Sequence, residues 1–109
     1  MLYDGALRFM EAGKHAMLER DIEKQNQNLQ RAQKIIMELM SCLDMQNGVD
    51  IAKNLLALYT YSLEQLVQSN LKDDPTGIDH SIRVFSELRE SWVAIDKTIR
   101  SDSGEQNAA

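Results

Sequence analysis

The sequence has little of what builds disulfide bonds, tight turns and membrane spans. Its 109 residues contain one cysteine, one proline and five glycines. A single cysteine, Cys42, excludes an internal disulfide bond and is compatible with a reducing cytosol. No run approaches the roughly 18 apolar residues of a membrane span, and the first residues lack the pattern of a signal peptide. We therefore expect a cytoplasmic protein without membrane insertion, built from long helices and few loops.

The charge balance argues against a further class of partner. Twelve Lys and Arg residues stand against 17 Asp and Glu residues, which gives a formal net charge of -5 at pH 7. A chain with this excess of negative charge repels phosphate backbones and anionic membrane surfaces. We therefore expect that neither nucleic acid nor a membrane surface is a partner.

Four segments carry apolar residues at steps of three or four, the spacing of an amphipathic helix. The first runs from Leu2 to about Glu19 and is the shortest. The second follows Asp21, a residue type that caps helix N-termini, and shows a seven-residue apolar repeat over about 23 residues. Its expected length is roughly 35 Å.

Two short segments separate the remaining helices. Residues 44–50 contain Asn-Gly, which favours a positive φ, and Asp50 is predicted to cap the third helix. The segment KDDPTG ends that helix. Within it, Asp74 and Pro75 have the residue types of an N-cap and of the first helical position, so they predict the start of the fourth helix.

Short connections make consecutive helices run in opposite directions. The sequence therefore predicts an all-α fold, an antiparallel up-and-down four-helix bundle with a short first helix. Because the first helix is shorter than the others, we expect that it leaves the side of the bundle next to it uncovered at one end. Residues 1–100 are predicted to form a single helical domain, and residues 101–109, without an apolar period, a disordered tail.

Residue types that suggest catalysis do not form a catalytic pattern. Asp79, His80 and Ser81 are the residue types of an acyl-transfer triad, but neighbours on a helix point about 100° apart and cannot bond in series. A solvated first turn with Asp79 paired to Arg83 is the favoured interpretation. A two-metal site in a bundle needs Glu-x-x-His on two helices, and neither His15 nor His80 follows a glutamate at that spacing. We therefore expect no enzyme, no metal and no cofactor.

Apolar side chains that lie outside the stripe facing the core on each helix are more informative about function. At about 100° per residue they lie beside or opposite the inner stripe of their own helix. Together with six methionines, they predict a surface that accepts an apolar partner by repacking flexible side chains. For each residue alone, packing at the margin of the core is the alternative. The candidate contact residues are Leu7, Met10, Ile35, Met37, Leu58, Tyr61, Val84 and Val93.

Five stretches, in this order and spacing, resemble one protein family. They are MLYDGALRF, NLQRAQKIIMELMSCLD, IAKNLLALYTY, SNLKDD and LRESW. The chain is similar over nearly its whole length to the flagellin-specific secretion chaperones of bacterial flagella, FliS. The resemblance implies a cytoplasmic helical bundle that binds the disordered C-terminal segment of flagellin. It also implies that the bundle prevents early polymerisation and delivers the subunit to the flagellar type III export gate.

The resemblance adds expectations about the first motif. Tyr3, Asp4 and Gly5 match it, and they imply a polar partner for Asp4 beside the groove and close helix approach at Gly5. Members of the family carry an N-terminal arm before this motif, whereas the present sequence begins at its methionine. We therefore expect a frayed first helix and an exposed side of the bundle next to it.

A second hypothesis belongs to a different class of function. The chain could be a self-associating bundle, a structural or adaptor module whose incomplete wall is filled by another copy. For a free chaperone we expect a monomer or a weak dimer. A tight dimer that a flagellin peptide does not dissociate would favour self-association.

Overall fold

The computed structural model describes residues 2–44, 46 and 48–91. Three helices, α1 (Leu2–Leu18), α2 (Ile22–Ser41) and α3 (Val49–Lys72), are followed by α4, whose described part covers residues 76–91. The described residues contain no strand, and the predicted all-α four-helix fold is confirmed. The predicted domain limit at residue 100 and the predicted tail lie outside the described residues.

Ion pairs show the direction of α4 relative to α1. Lys14 Nζ lies 2.7 Å from Asp79 Oδ1, and Arg89 Nε lies 3.0 Å from Asp4 Oδ1. The residue later in α1 pairs with the residue earlier in α4, so these two helices run antiparallel. The helices α1 and α4 are therefore neighbours, which closes the bundle.

Side-chain hydrogen bonds join α3 to both of its neighbours. Gln25 of α2 donates from Nε2 to Asn70 Oδ1 at 3.0 Å. Ser81 of α4 donates from Oγ to the carbonyl oxygen of Ser62 at 2.9 Å, and this bond is buried. Each helix therefore packs against the next one along the chain, as expected of an up-and-down topology.

Most helix ends follow the signals in the sequence. The Asp21 carboxylate accepts a hydrogen bond from the backbone N–H three residues later and caps α2. Asp74 Oδ1 accepts from the backbone N–H of Thr76 at 3.0 Å, which holds the start of α4. The prediction that Asp50 caps α3 is wrong. Gly48, with a φ of 67°, occupies the N-cap position, and Asp50 lies in the first helical turn.

The core is formed by the inner stripes of all four helices. Its members come from positions three, four or seven residues apart, as the helical period requires. The largest fully buried apolar side chains are Phe85, Met10, Leu29, Ile36, Leu66 and Ile78. Because these residues come from all four helices, removing one of the larger side chains would leave a cavity that the neighbouring helices cannot close completely.

Glycines set two of the distances between helices. A Cβ atom at Gly77 of α4 would lie 2.3 Å from the backbone oxygen of Gln65 and 2.4 Å from Ser69 Oγ in α3. A Cβ atom at Gly5 of α1 would lie 3.3 Å from Ile35 Cδ1, the end of a flexible side chain. The backbone of α3 therefore excludes any side chain at position 77, whereas position 5 can accept a methyl group after a small movement.

We predict that Gly77→Ala destabilises the protein and Gly5→Ala does not. Alanine is normally better than glycine in a helix by up to about 1 kcal/mol, but at position 77 the clash with a backbone oxygen outweighs this gain. We expect a loss of about 1–3 kcal/mol in the free energy of unfolding, measured by urea denaturation. If Gly77→Ala is as stable as Gly5→Ala, the packing of α4 on α3 described above is incorrect.

Candidate partner-binding groove

An open groove of about 460 Å³ lies at the end of the bundle where the described part of α1 begins. The end of α2, the following loop and the start of α3 form its remaining walls. Tyr3, in the first turn of α1, closes one side of the groove. The lining residues are Tyr3, Leu39, Cys42, Leu43, Asp44, Gly48, Ile51, Ala52, Leu55 and Tyr59.

The walls of the groove present apolar side chains to solvent. Ile51 is 65% exposed. Leu39, Leu43 and Leu55 are half-buried and pack against core residues from the other side. The free energy of hydration of these side chains is unfavourable, at roughly 25 cal/mol per Å² of exposed apolar surface. A partner that covers them with apolar groups would be stabilised by their burial.

Three aromatic rings form the floor beneath the groove. The ring of Phe85, which is fully buried, meets Tyr3 edge-on at a centroid distance of 5.6 Å and lies 5.9 Å from Tyr59. The two tyrosine hydroxyl groups share a hydrogen bond of 2.5 Å. Edge-to-face aromatic packing is favourable beyond the area it buries. The cluster joins α1, α3 and α4 and fixes the position of the first turn of α1.

Tyr59 remains uncharged over the physiological pH range. Burial raises the pKa of Tyr59 well above its ordinary value, and the hydrogen bond with Tyr3 raises this pKa further. The phenolate form is disfavoured because it would have to stand in apolar surroundings. Tyr59 therefore acts as an apolar surface with one hydroxyl group, and that hydroxyl group is already paired.

The raised pKa of Tyr59 predicts a loss of stability at alkaline pH. Above about pH 10, unfolded Tyr59 releases a proton that the folded protein retains, so the free energy of unfolding falls as the pH rises. Tyr59→Phe should reduce this fall, and it should cost about 0.5–1.5 kcal/mol at neutral pH because the bond to Tyr3 is lost. Urea denaturation at a series of pH values measures both effects. Equal alkaline slopes for the two proteins would contradict the assignment.

The predicted contact residues do not all lie on this groove. Tyr3 lines it, and Met37, Leu58 and Tyr61 are exposed elsewhere, by 51%, 37% and 42%. Val93 lies outside the described residues. Tyr61 lies across from α4, where its hydroxyl group is 3.5 Å from His80 Nδ1.

Three of the predicted residues are part of the margin of the core. Leu7, Ile35 and Val84 are half-buried and pack against it, which is the alternative that the sequence leaves open for each residue. Met10 needs a correction, because its side chain is fully buried and cannot contact a partner. The buried stripe of α1 is centred closer to Met10 than the sequence pattern indicates, so Leu2 is 40% exposed instead.

Two acidic residues are paired within the chain. The ion pair with Arg89 gives Asp4 a polar partner on α4. The predicted pairing of Asp79 with Arg83 is wrong, because Asp79 contacts Lys14 of α1 and Arg83 lies near Glu87. A contact between helices that are distant in sequence replaces the local pair, and helical spacing alone could not show this.

The described residues provide neither a metal-binding cluster nor a membrane-spanning helix. These residues hold no group of three or more His, Cys, Asp or Glu side chains that could bind a metal ion. No helix in this part of the chain combines the length and apolar character needed to cross a membrane.

Sequence reasoning missed the aliphatic walls of the groove. Leu39, Leu43 and Leu55 occupy helical positions that predict burial in the core, and only the packing of the helices in space shows that they line an open groove. The available signal was the four-residue spacing of Ile51 and Leu55, which places both on one side of α3.

Comparison with known proteins identifies the family. The profile of the family described as Flagellar protein FliS matches residues 1–99. The flagellar secretion chaperone FliS of Vibrio cholerae is 40% identical over 92 residues, or 84% of this chain and 68% of that protein. The FliS of Bacillus subtilis is 33% identical over 103 residues, or 94% of this chain and 75% of that protein. The FliS of Campylobacter jejuni is 36% identical over 92 residues, or 84% of this chain and 72% of that protein. The chain therefore belongs to the FliS family of flagellar secretion chaperones, a family of chaperones and not of enzymes.

Proposed function

We propose that this chain is a cytoplasmic export chaperone that binds the disordered C-terminal segment of flagellin. In this role it prevents premature polymerisation of the subunits and delivers them to the flagellar type III export gate. The observation that carries the proposal is the open apolar groove between α1, α2 and α3, with Ile51 exposed on its wall. Membership of a flagellar chaperone family supports the identity of the cargo.

The physics of the proposed complex is coupled folding and binding. An amphipathic segment is disordered in water and forms a helix when its apolar stripe is covered. The half-buried leucines of the groove, together with Ile51, offer such a cover. The cost of ordering the segment reduces the affinity, which suits a chaperone that must release its cargo at the export gate.

The groove alone does not account for a long bound segment. We propose that the exposed side chains of Met37, Leu58 and Tyr61 form further contacts along the outside of the bundle. Leu58 and Tyr61 lie on α3, the helix that also supplies one wall of the groove. A bound segment that leaves the groove along this helix would meet them.

Two exposed aliphatic residues of α3 provide a matched test. Ile51 is 65% exposed in the groove, and Leu71 is 73% exposed at the other end of the same helix and outside the groove. We expect Ile51→Asp to weaken binding of a peptide from the C-terminus of flagellin by about tenfold or more, because a charge would be buried. Leu71→Asp should change the affinity by less than about twofold. Isothermal titration calorimetry measures both, and circular dichroism checks the folding of each variant.

Two results would contradict the proposal. One is equal affinity of the two variants for the flagellin peptide, which would place the binding site elsewhere. The other is a tight dimer in sedimentation experiments that the peptide does not dissociate. That second result would favour the self-associating bundle, in which another copy of the chain covers the groove.

A further inference from the structure

A second surface, on α1 and α2, gathers positive charge around one aromatic ring. Arg8 Cζ lies 5.9 Å and Arg31 Cζ lies 5.7 Å from the centroid of the Phe9 ring. Phe9 is half-buried and packs against the core, so its ring is a fixed support for both guanidinium groups. Cation–π contacts of this length hold an arginine without using its N–H donors.

The cations of this surface form no ion pair within the described part of the chain. Other basic residues, such as Lys14 and Arg89, form ion pairs with carboxylates. Throughout the part of the chain that the structure describes, by contrast, Arg8, Arg31 and Lys34 form no ion pair. Glu11 and Glu38, each one helical turn from one of these cations, are not paired with them either.

A shallow depression continues this surface along α2. It has a volume of about 240 Å³ and is lined by Gln27, Gln30, Arg31 and Lys34. The spacing of three, four and seven residues places these side chains on one face of the helix. All four carry N–H donors, and two of them are cationic. None of them lines the apolar groove described above.

We propose that this face, formed by Arg8, Phe9, Gln27, Gln30, Arg31 and Lys34, binds an acidic segment of a partner protein through its Asp and Glu side chains. A guanidinium group binds a carboxylate through two parallel hydrogen bonds, and here two such groups are already positioned. The chain as a whole carries a net charge of -5. An acidic segment is therefore repelled from most of the surface and directed to this face.

The proposal is tested with a short peptide of alternating Glu and Ala, and with a control peptide in which Gln replaces Glu. The full chain, labelled with ¹⁵N, is titrated with each peptide at low ionic strength, and amide shifts are recorded by NMR. We expect shifts confined to the residues around Arg8, Phe9, Arg31 and Lys34 with the Glu peptide only. These shifts should weaken as salt is added, because the interaction is electrostatic and solvent-exposed.

Charge reversal at two positions separates a specific site from a general charge effect. Arg31→Glu and Lys53→Glu change the net charge equally, and Lys53 is an exposed residue of α3 away from this face. We expect Arg31→Glu to weaken binding of the Glu peptide by about tenfold or more and Lys53→Glu by less than about twofold. Arg8→Gln, a milder change, should also weaken binding. Binding of the flagellin peptide should be unaffected in all three variants, so this test is independent of the proposed function.

Several outcomes would overturn the proposal. One is an equal loss of affinity for the Glu peptide in Arg31→Glu and Lys53→Glu, and another is an unchanged affinity in Arg8→Gln. The others are amide shifts spread over the whole surface and equal binding of the Gln peptide and the Glu peptide. Tighter binding of a single-stranded DNA oligonucleotide of the same charge at the same face would also overturn it, because the face would then recognise phosphate and not an acidic protein segment.

Discussion

The cluster of Tyr3, Tyr59 and Phe85 holds the first turn of α1 in the bundle, and the shape of the groove follows from it. Two of its members carry a hydroxyl group, which would be costly to bury without a partner. The two hydroxyl groups are hydrogen-bonded to each other, which offsets this cost where the three rings meet between α1, α3 and α4. It closes the core at this level. The apolar side chains of α2 and α3 beyond it are left to line an open groove.

The residues that stabilise the fold are therefore largely different from those that line the groove. The core below the aromatic cluster is packed from four helices and includes contacts that tolerate no added atom, such as Gly77 against the backbone of α3. The groove above it is lined by the end of α2, the start of α3, residues of the loop between them and Tyr3 of α1. A partner that supplies the missing apolar contacts can bind without opening the core. The positive face on α1 and α2 is a separate feature, since Phe9 holds Arg8 and Arg31 and none of its residues lines the groove.

Much of this fold could be predicted from the sequence because its signals are local. Asp21 and Asp74 have cap chemistry that depends only on neighbouring residues, and the helical period requires no knowledge of the partner helix. The errors at Met10 and Asp79 have a common cause. Met10 lies inside because the direction of the core is set by three other helices, and Asp79 pairs with Lys14 because α4 lies beside α1. Ile51 lies four residues before Leu55, but only the packing of the helices in space shows that it stands exposed on the wall of the groove.

Amide hydrogen exchange of the chain with and without a C-terminal flagellin peptide tests most directly whether the groove is the binding site. If the peptide occupies the groove, exchange should slow at the end of α2 and the start of α3, around Leu39, Leu43, Ile51 and Leu55. Exchange around Leu71, at the other end of α3, should be unchanged. Protection at that other end, or no protection beside the groove when the peptide is bound, would contradict the role of the groove.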